Sequence, residues 1–126
     1  AAGNDGVSSP FYPAALPSEN IISVGAIDRS GAVPAFTNRG LPHVDVGAPG
    51  DAIATTGMGN SYVTNGGTSI AAPHVAGVAA LVWSKHPTWT AKQVRDAILA
   101  STDVDPRYTH AWSSSGRLNA ARAVAR

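Results

Sequence analysis

Apolar residues fall along this chain in two rhythms. From Ile21 to Asp28 the run "IISVGAID" is short, β-branched and apolar without alternation, the pattern of a strand buried on both faces. "HVDVGAPG" and "DAIATT" predict two more short strands, separated by Pro49-Gly50, a pair suited to a tight turn. Ala1 to Gly6 reads as a strand end entering a turn, and "VSSPFYPAALPSEN" is too broken by proline to be regular. Asp28-Arg29-Ser30-Gly31 reads as a turn. "TGMGNSYVTNGG" reads as a loop, in which Gly66-Gly67 permits backbone angles closed to other residues.

From Thr68 the period changes. Ile70, Val75, Val78, Leu81 and Val82, interleaved with alanines, predict a helix that is apolar almost all round and therefore central. It ends near His86-Pro87, because a residue before proline avoids the helical region. A second helix starts at Thr90, where Thr90 and Gln93 fit a capping box and Val94, Ala97, Ile98 and Leu99 supply the buried stripe. The tail "RLNAARAVAR" predicts a short third helix, with Leu118, Ala121 and Val124 inward and Arg117, Arg122 and Arg126 outward. Strands first and helices after, with short buried strands, predict part of a parallel α/β sheet.

Composition narrows the classes of function. The 126 residues suit one domain, and the net charge of +1 without blocks of like charge argues against nucleic acid and membrane surfaces as partners. No apolar run approaches the roughly 20 residues of a membrane span. The absence of cysteine rules out disulfides and thiolate metal sites. The chain has no initiator Met and opens on "AAGNDG", so it is expected to be a piece of something longer.

Candidate chemistry centres on "NGGTSIAAPHVAGVAALV". Gly66-Gly67 lets the chain turn sharply into a helix whose first N–H groups lack internal partners and whose dipole favours negative charge. Ser69 stands at that point as a nucleophile with backbone donors beside it; the alternative is that Thr68 or Ser69 is an ordinary helix cap, the commoner role for a serine at a helix start. His74 is not its base: five residues on, it points about 140° away around the helix. It is expected to be a hydrogen-bonded structural residue, and His43, His86 and His110 to lie in surface connections. "GTSIA" is not the G-x-S-x-G elbow, since Ala71 replaces the second glycine.

Several segments in order are more specific than any one alone. "AAGNDG", "YPA", "IISVGAID", "FTNRG", "VDVGAPG", "GTSIAAPHVAGVAALV" and "GRLNAARAV" together resemble the C-terminal half of a subtilisin-like serine peptidase (subtilase) domain, and the resemblance covers residues 1–126. It implies an α/β fold, part of a parallel-sheet sandwich with a buried central helix. It implies Ser69 as the catalytic serine and Asn4 as the asparagine whose amide donates to the oxyanion. Ala1, Ala2 and Gly3 match one wall of the first specificity pocket, and Phe11 to Ala14 match the segment near its base, where the Tyr12-Pro13 bond is expected to be cis. The aspartate and histidine of the triad precede these segments in subtilases, and nothing here resembles their settings. Asp5, Asp28, Asp45 and Asp51 have no matching context.

The resemblance therefore implies a secreted, extracellular serine endopeptidase acting on peptide or protein substrates. On this reading the 126 residues alone are inactive and need the aspartate–histidine half, supplied by a longer chain or a companion, with self-association as the other outcome of an uncovered sheet edge. No cofactor is required. Structural calcium occurs in the family, but no ligand cluster of the EF-hand kind is present. The rival reading is a non-catalytic binding or scaffold module on a subtilase framework. Retention of both Ser69 and Asn4 favours the enzyme, because a scaffold needs no oxyanion donor opposite a serine.

Overall fold

The computed structural model describes residues 1–126. In chain order its elements are β1 (Val24–Ile27), β2 (Val46–Pro49), β3 (Ile53–Gly57), β4 (Ser61–Asn65), α1 (Thr68–Lys85), α2 (Ala91–Leu99), β5 (Asp103–Val104), β6 (Gly116–Arg117) and α3 (Ala120–Val124), with a 3₁₀ turn at Pro106–Tyr108. The main sheet has the order β1-β2-β6-β5. β1, β2 and β6 run parallel, and β5 pairs antiparallel with β6.

Both faces of β1 and β2 are covered, which explains their uninterrupted apolar runs. Val24, Ala26, Val46 and Ala48 join Ala71, Val75, Val78 and Val82 of α1, Val94 and Ile98 of α2 and Ala123 of α3 in one core. The intervening positions face a second cluster built on Tyr108 and Trp112, both fully buried. Gly25 and Gly47 are direct neighbours across the β1–β2 pair and form a trough for the indole. A Cβ on Gly25 would lie 2.8 Å from the Trp112 ring, and one on Gly47 2.3 Å from it. Parallel α/β architecture is thus present, assembled from side chains of alternating direction along each strand.

Five features depart from the sequence expectations. The first strand spans Val24–Ile27 rather than Ile21–Asp28, and Ala1–Gly6 contains no strand, although Ala2 N–H donates to Val24 O at 2.9 Å. "SYVTN" is a strand: β4 pairs antiparallel with all of β3 around Met58-Gly59-Asn60, where Gly59 and Asn60 take positive φ. Its residues are all exposed, so it carries no burial signature and is held by ladder bonds to β3. The tail contains β6 before its helix, and α3 buries Ala123 while Ala121 faces outward, because the helix starts at Ala120 behind an Asn119 cap.

α1 is the fifth. It ends at Lys85 with His86 as its C-cap, as the following proline dictates, but it is not buried all round. The sheet, α2 and α3 cover one side. Pro73, Ala76, Gly77, Ala80 and Leu81, at the i, i+3, i+4, i+7, i+8 spacing of a single face, are exposed. α2 carries the expected capping box: Gln93 N–H donates to Thr90 Oγ1 at 3.3 Å and Thr90 N–H to Gln93 Oε1 at 2.8 Å. Tyr12-Pro13 is cis, and so is Leu41-Pro42.

Candidate active site

A helix start leaves four backbone N–H groups without internal partners. At α1 the cap is Gly67, at φ 142° and ψ 158°, which has no side chain to offer them. Thr68 N–H is taken by Asn4 Oδ1 at 2.8 Å, from 64 residues away. The N–H groups of Ile70 and Ala71 both donate to Gly67 O, at 3.0 and 3.2 Å. Only the N–H of Ser69 is left over. Ser69 is therefore not the helix cap; Asn4 performs that service.

The same contacts orient the Asn4 amide. Its Oδ1 accepts a second hydrogen bond from Thr68 Oγ1 at 2.9 Å, and Thr68 Oγ1 accepts from Gly3 N–H at 3.1 Å. With the oxygen engaged twice on buried Thr68, Nδ2 is the end of the amide that is free to donate. A methyl group on Gly67 would lie 3.4 Å from Ser69 Oγ and 3.6 Å from Asn4 Nδ2, so both flank one small space above that glycine. Ser69 is exposed there, at the positive end of an 18-residue helix. An exposed hydroxyl beside two unspent donors can attack a carbonyl carbon and hold the resulting oxyanion.

The remaining predicted residues divide. Ala2 and Gly3 are buried on the strand side of this space, and Phe11 lies over Gly3, its Cγ 3.0 Å from where a Gly3 Cβ would stand. Ala1 is exposed beside them. Ala14 lines a different cleft, about 410 Å³, with Tyr12, Leu16, His43, Asp45 and Arg95; neither Ser69 nor Asn4 borders it. His74 is exposed and its Nδ1 sits 3.0 Å from Ile70 O, one turn back along the helix. His86 is half-buried rather than superficial, stacked on Trp89 with ring centroids 3.9 Å apart. His43 is also half-buried, and His110 is exposed.

Two of the aspartates, Asp45 and Asp28, have structural employment. Asp45 accepts from Ser23 N–H at 2.8 Å and from Arg95 Nη2 at 3.0 Å, tying β1, β2 and α2 together. Asp28 closes its turn by accepting from Ser30 and Ala32, contacts that hold its carboxyl below the usual range, the Ser30 hydroxyl first. No three His, Cys, Asp or Glu side chains gather as a metal site. Asn38 was not singled out in the sequence, and Thr68 was offered there only as a helix cap, not as the group that holds Asn4. Both lie inside the quoted "GTS" and "FTNRG" blocks, but nothing in spacing alone pairs them with the Ala2–Val7 loop.

The chain matches the model of the Subtilase family over residues 1–121. It is similar to subtilisin E of Bacillus subtilis (strain 168), with 49% identity over 102 residues, 78% of this chain and 26% of that protein. A thermophilic serine proteinase of Bacillus sp. (strain AK1) is 43% identical over 124 residues, 98% of this chain and 29% of that one. Among solved structures, the prenylagaramide maturation protease PagA superposes with a TM-score of 0.81 at 33% identity, covering 98% of this chain and 48% of that chain. The self-cleaved protease domain of PatA gives 0.81 at 34%, covering 98% and 46%. The chain thus spans between about a quarter and a half of the length of these relatives.

Proposed function

Because this chain belongs to the subtilase family, we propose that Ser69 is the nucleophile of a serine endopeptidase and that Ser69 N–H and Asn4 Nδ2 form its oxyanion hole. The observation that carries the reading is the accounting at the start of α1. Of the four first-turn donors, the one left unspent belongs to the serine, and the Asn4 amide is pinned by its oxygen so that its nitrogen faces the same space. A scaffold module would have no use for either. Asparagine suits the task because its amide donates without ionising.

In this reaction Ser69 Oγ bonds to the carbonyl carbon of a peptide, and the carbonyl electron pair moves onto the oxygen between the two donors. The hydroxyl proton passes to a base, which later returns it to the departing amine. None of the four histidines hydrogen-bonds to Ser69, so the base and its aspartate are proposed to come from residues outside these 126. The exposed stripe of α1 supports this. Pro73 follows Ser69 by one turn on the same face, so a segment packed over Pro73, Ala76 and Ala80 stands next to the hydroxyl. Ala1 to Gly3 and Phe11 would contact the residue on the acyl side of the scissile bond, and Ala14 would act only by supporting Phe11's loop. The reaction draws on side chains and backbone alone and needs no cofactor. The family likeness supports reading the proposed activity as extracellular.

The test uses the protein with its complete catalytic set. Ser69→Ala should abolish peptide hydrolysis and labelling by a fluorophosphonate. Asn4→Ala should lower kcat by about 10²–10³, the magnitude established for loss of one such donor in a subtilisin. Full activity in either variant removes the assignment.

A further inference from the structure

We propose that Asn38 is a positioning residue for the oxyanion donor: its buried side chain staples the Ala2–Val7 loop on both sides of Asn4 and so sets where the Asn4 amide points. This rests on the reading of Asn4 given above.

Asn38 is 2% exposed, 34 residues from Asn4 in sequence, and every hydrogen-bonding group it offers to the loop is used. Its Nδ2 donates to Ala2 O at 3.0 Å and its backbone N–H to Gly3 O at 2.9 Å, both on the near side of Asn4. Its Oδ1 accepts from Asp5 N–H at 2.9 Å and from Val7 N–H at 3.3 Å, both on the far side. Arg39 N–H donates to Val7 O at 3.0 Å and Gly6 N–H to Phe36 O at 2.8 Å, continuing the lacing in each direction. The residue left out of this lacing is Asn4 itself, whose side chain is engaged only by Thr68.

The anchor is itself fixed to the sheet. Thr37, fully buried, accepts from Ala26 N–H of β1 at 2.9 Å through Oγ1, and the same hydroxyl donates to Asn38 O at 3.3 Å. The loop is shaped to admit the amide. Gly3 has φ 107°, a left-handed value that favours glycine, and a Cβ there would fall 2.3 Å from Asn38 Nδ2. An amide is required at position 38 because the contacts need one donor and one acceptor on a single planar group. Aspartate of the same shape keeps the acceptor and loses the donor to Ala2 O; alanine loses both and leaves the buried Ala2 carbonyl and the part-buried Asp5 and Val7 N–H groups without these partners.

A hydrogen bond to a developing oxyanion tolerates little displacement, so loosening this loop should weaken the Asn4 donor while Ser69, held by α1, stays in place. The experiment is a double-mutant cycle in the protein with its complete catalytic set, using Asn38→Ala, Asn38→Asp, Asn4→Ala and the two double variants. Expected results are a fall in kcat of about 10- to 100-fold for Asn38→Ala, a smaller fall for Asn38→Asp, and double variants no slower than Asn4→Ala alone. Affinity for a peptide aldehyde, whose adduct carries the oxyanion, should fall by the same factor as kcat. A purely structural role predicts instead that Asn38 variants slow Asn4→Ala as much as they slow the parent, and that outcome overturns the proposal. So does unchanged kcat in a folded Asn38→Ala protein, or failure of both Asn38 variants to fold, which would make Asn38 a residue of the fold alone. If Asn4→Ala leaves kcat intact, it is the oxyanion reading that fails, and the two failures are distinguishable.

Discussion

Three glycines show how single residues decide what this chain can do. Gly67 separates Ser69 Oγ from Asn4 Nδ2, and a methyl group there would touch both at ordinary contact distance, in the space proposed for the carbonyl oxygen. Gly67→Ala should therefore lower kcat/KM by at least about tenfold, with φ 142° adding backbone strain; parallel measurement of Tm separates the two effects. Gly25 and Gly47 serve packing. A Cβ on Gly47 would overlap the Trp112 ring, so Gly47→Ala should cost about 1–3 kcal/mol in denaturant unfolding while leaving kcat of the folded fraction unchanged. The proposed nucleophile and its asparagine were legible as candidates because they stand in the blocks "GTS" and "AAGN". Their supports were not: Thr68 and Asn38 act through hydrogen bonds to residues 30 or more positions away, and such contacts leave no periodic trace in the sequence.

Elements with a local cap or a buried apolar run were legible in the sequence, and strands without a burial pattern were not. The Thr90–Gln93 box lies within four residues and is present as expected, so Thr90→Ala should cost about 0.5–2 kcal/mol, measurable as a shift of the unfolding midpoint. β4 is wholly exposed and shows no apolar pattern; its only cause is β3, which precedes it across a three-residue turn. β5 and β6, two residues each, are too short for any pattern and are joined by charge as well as by the ladder. Asp103 is held below its usual range by Asn119 first, then by Arg122 and Arg117. Asp105 is lowered from 3.8 to about 2, chiefly by the hydrogen bonds from the Arg107 guanidinium. Both carboxyls release their protons more readily in the folded state than in the unfolded chain. For Asp105 the resulting contribution to stability is complete above about pH 4 and is lost as pH falls towards about 2, and Asp103 contributes with the same sign. Asp105→Asn should flatten the acid limb of a stability–pH curve in that window and leave stability at pH 7 to 8 without further pH dependence from this site.

At the scale of the whole molecule, the sheet explains why the site faces the way it does. β1 and β2 lie side by side and in parallel; Ala2 N–H is tied to Val24 O at one end of β1, and Gly67 N–H to Gly50 O just beyond β2. Asn4 and Ser69, at opposite ends of the segment that contains both strands, are joined through Thr68, whose N–H and hydroxyl both donate to Asn4 Oδ1. The same arrangement turns one flank of α1 outward. Leu81 and Trp83 are 54% and 43% exposed, and the stripe from Pro73 to Leu81 adds small apolar residues to them. A Cβ on Gly77 would meet nothing within 4 Å, which marks the middle of that stripe as a surface that another helix could approach closely. α1 is apolar all round in sequence, yet within these 126 residues only one side of it is covered. Apolar faces of this kind associate in water. The 126-residue chain alone should therefore self-associate at micromolar concentration in sedimentation equilibrium. Replacing Leu81 and Ala80 with lysine and glutamate should return it to monomer without loss of far-ultraviolet circular dichroism. A cooperatively melting monomer of the parent sequence over the same range would show that this face needs no cover, and would remove the α1 stripe as support for a segment packed beside Ser69.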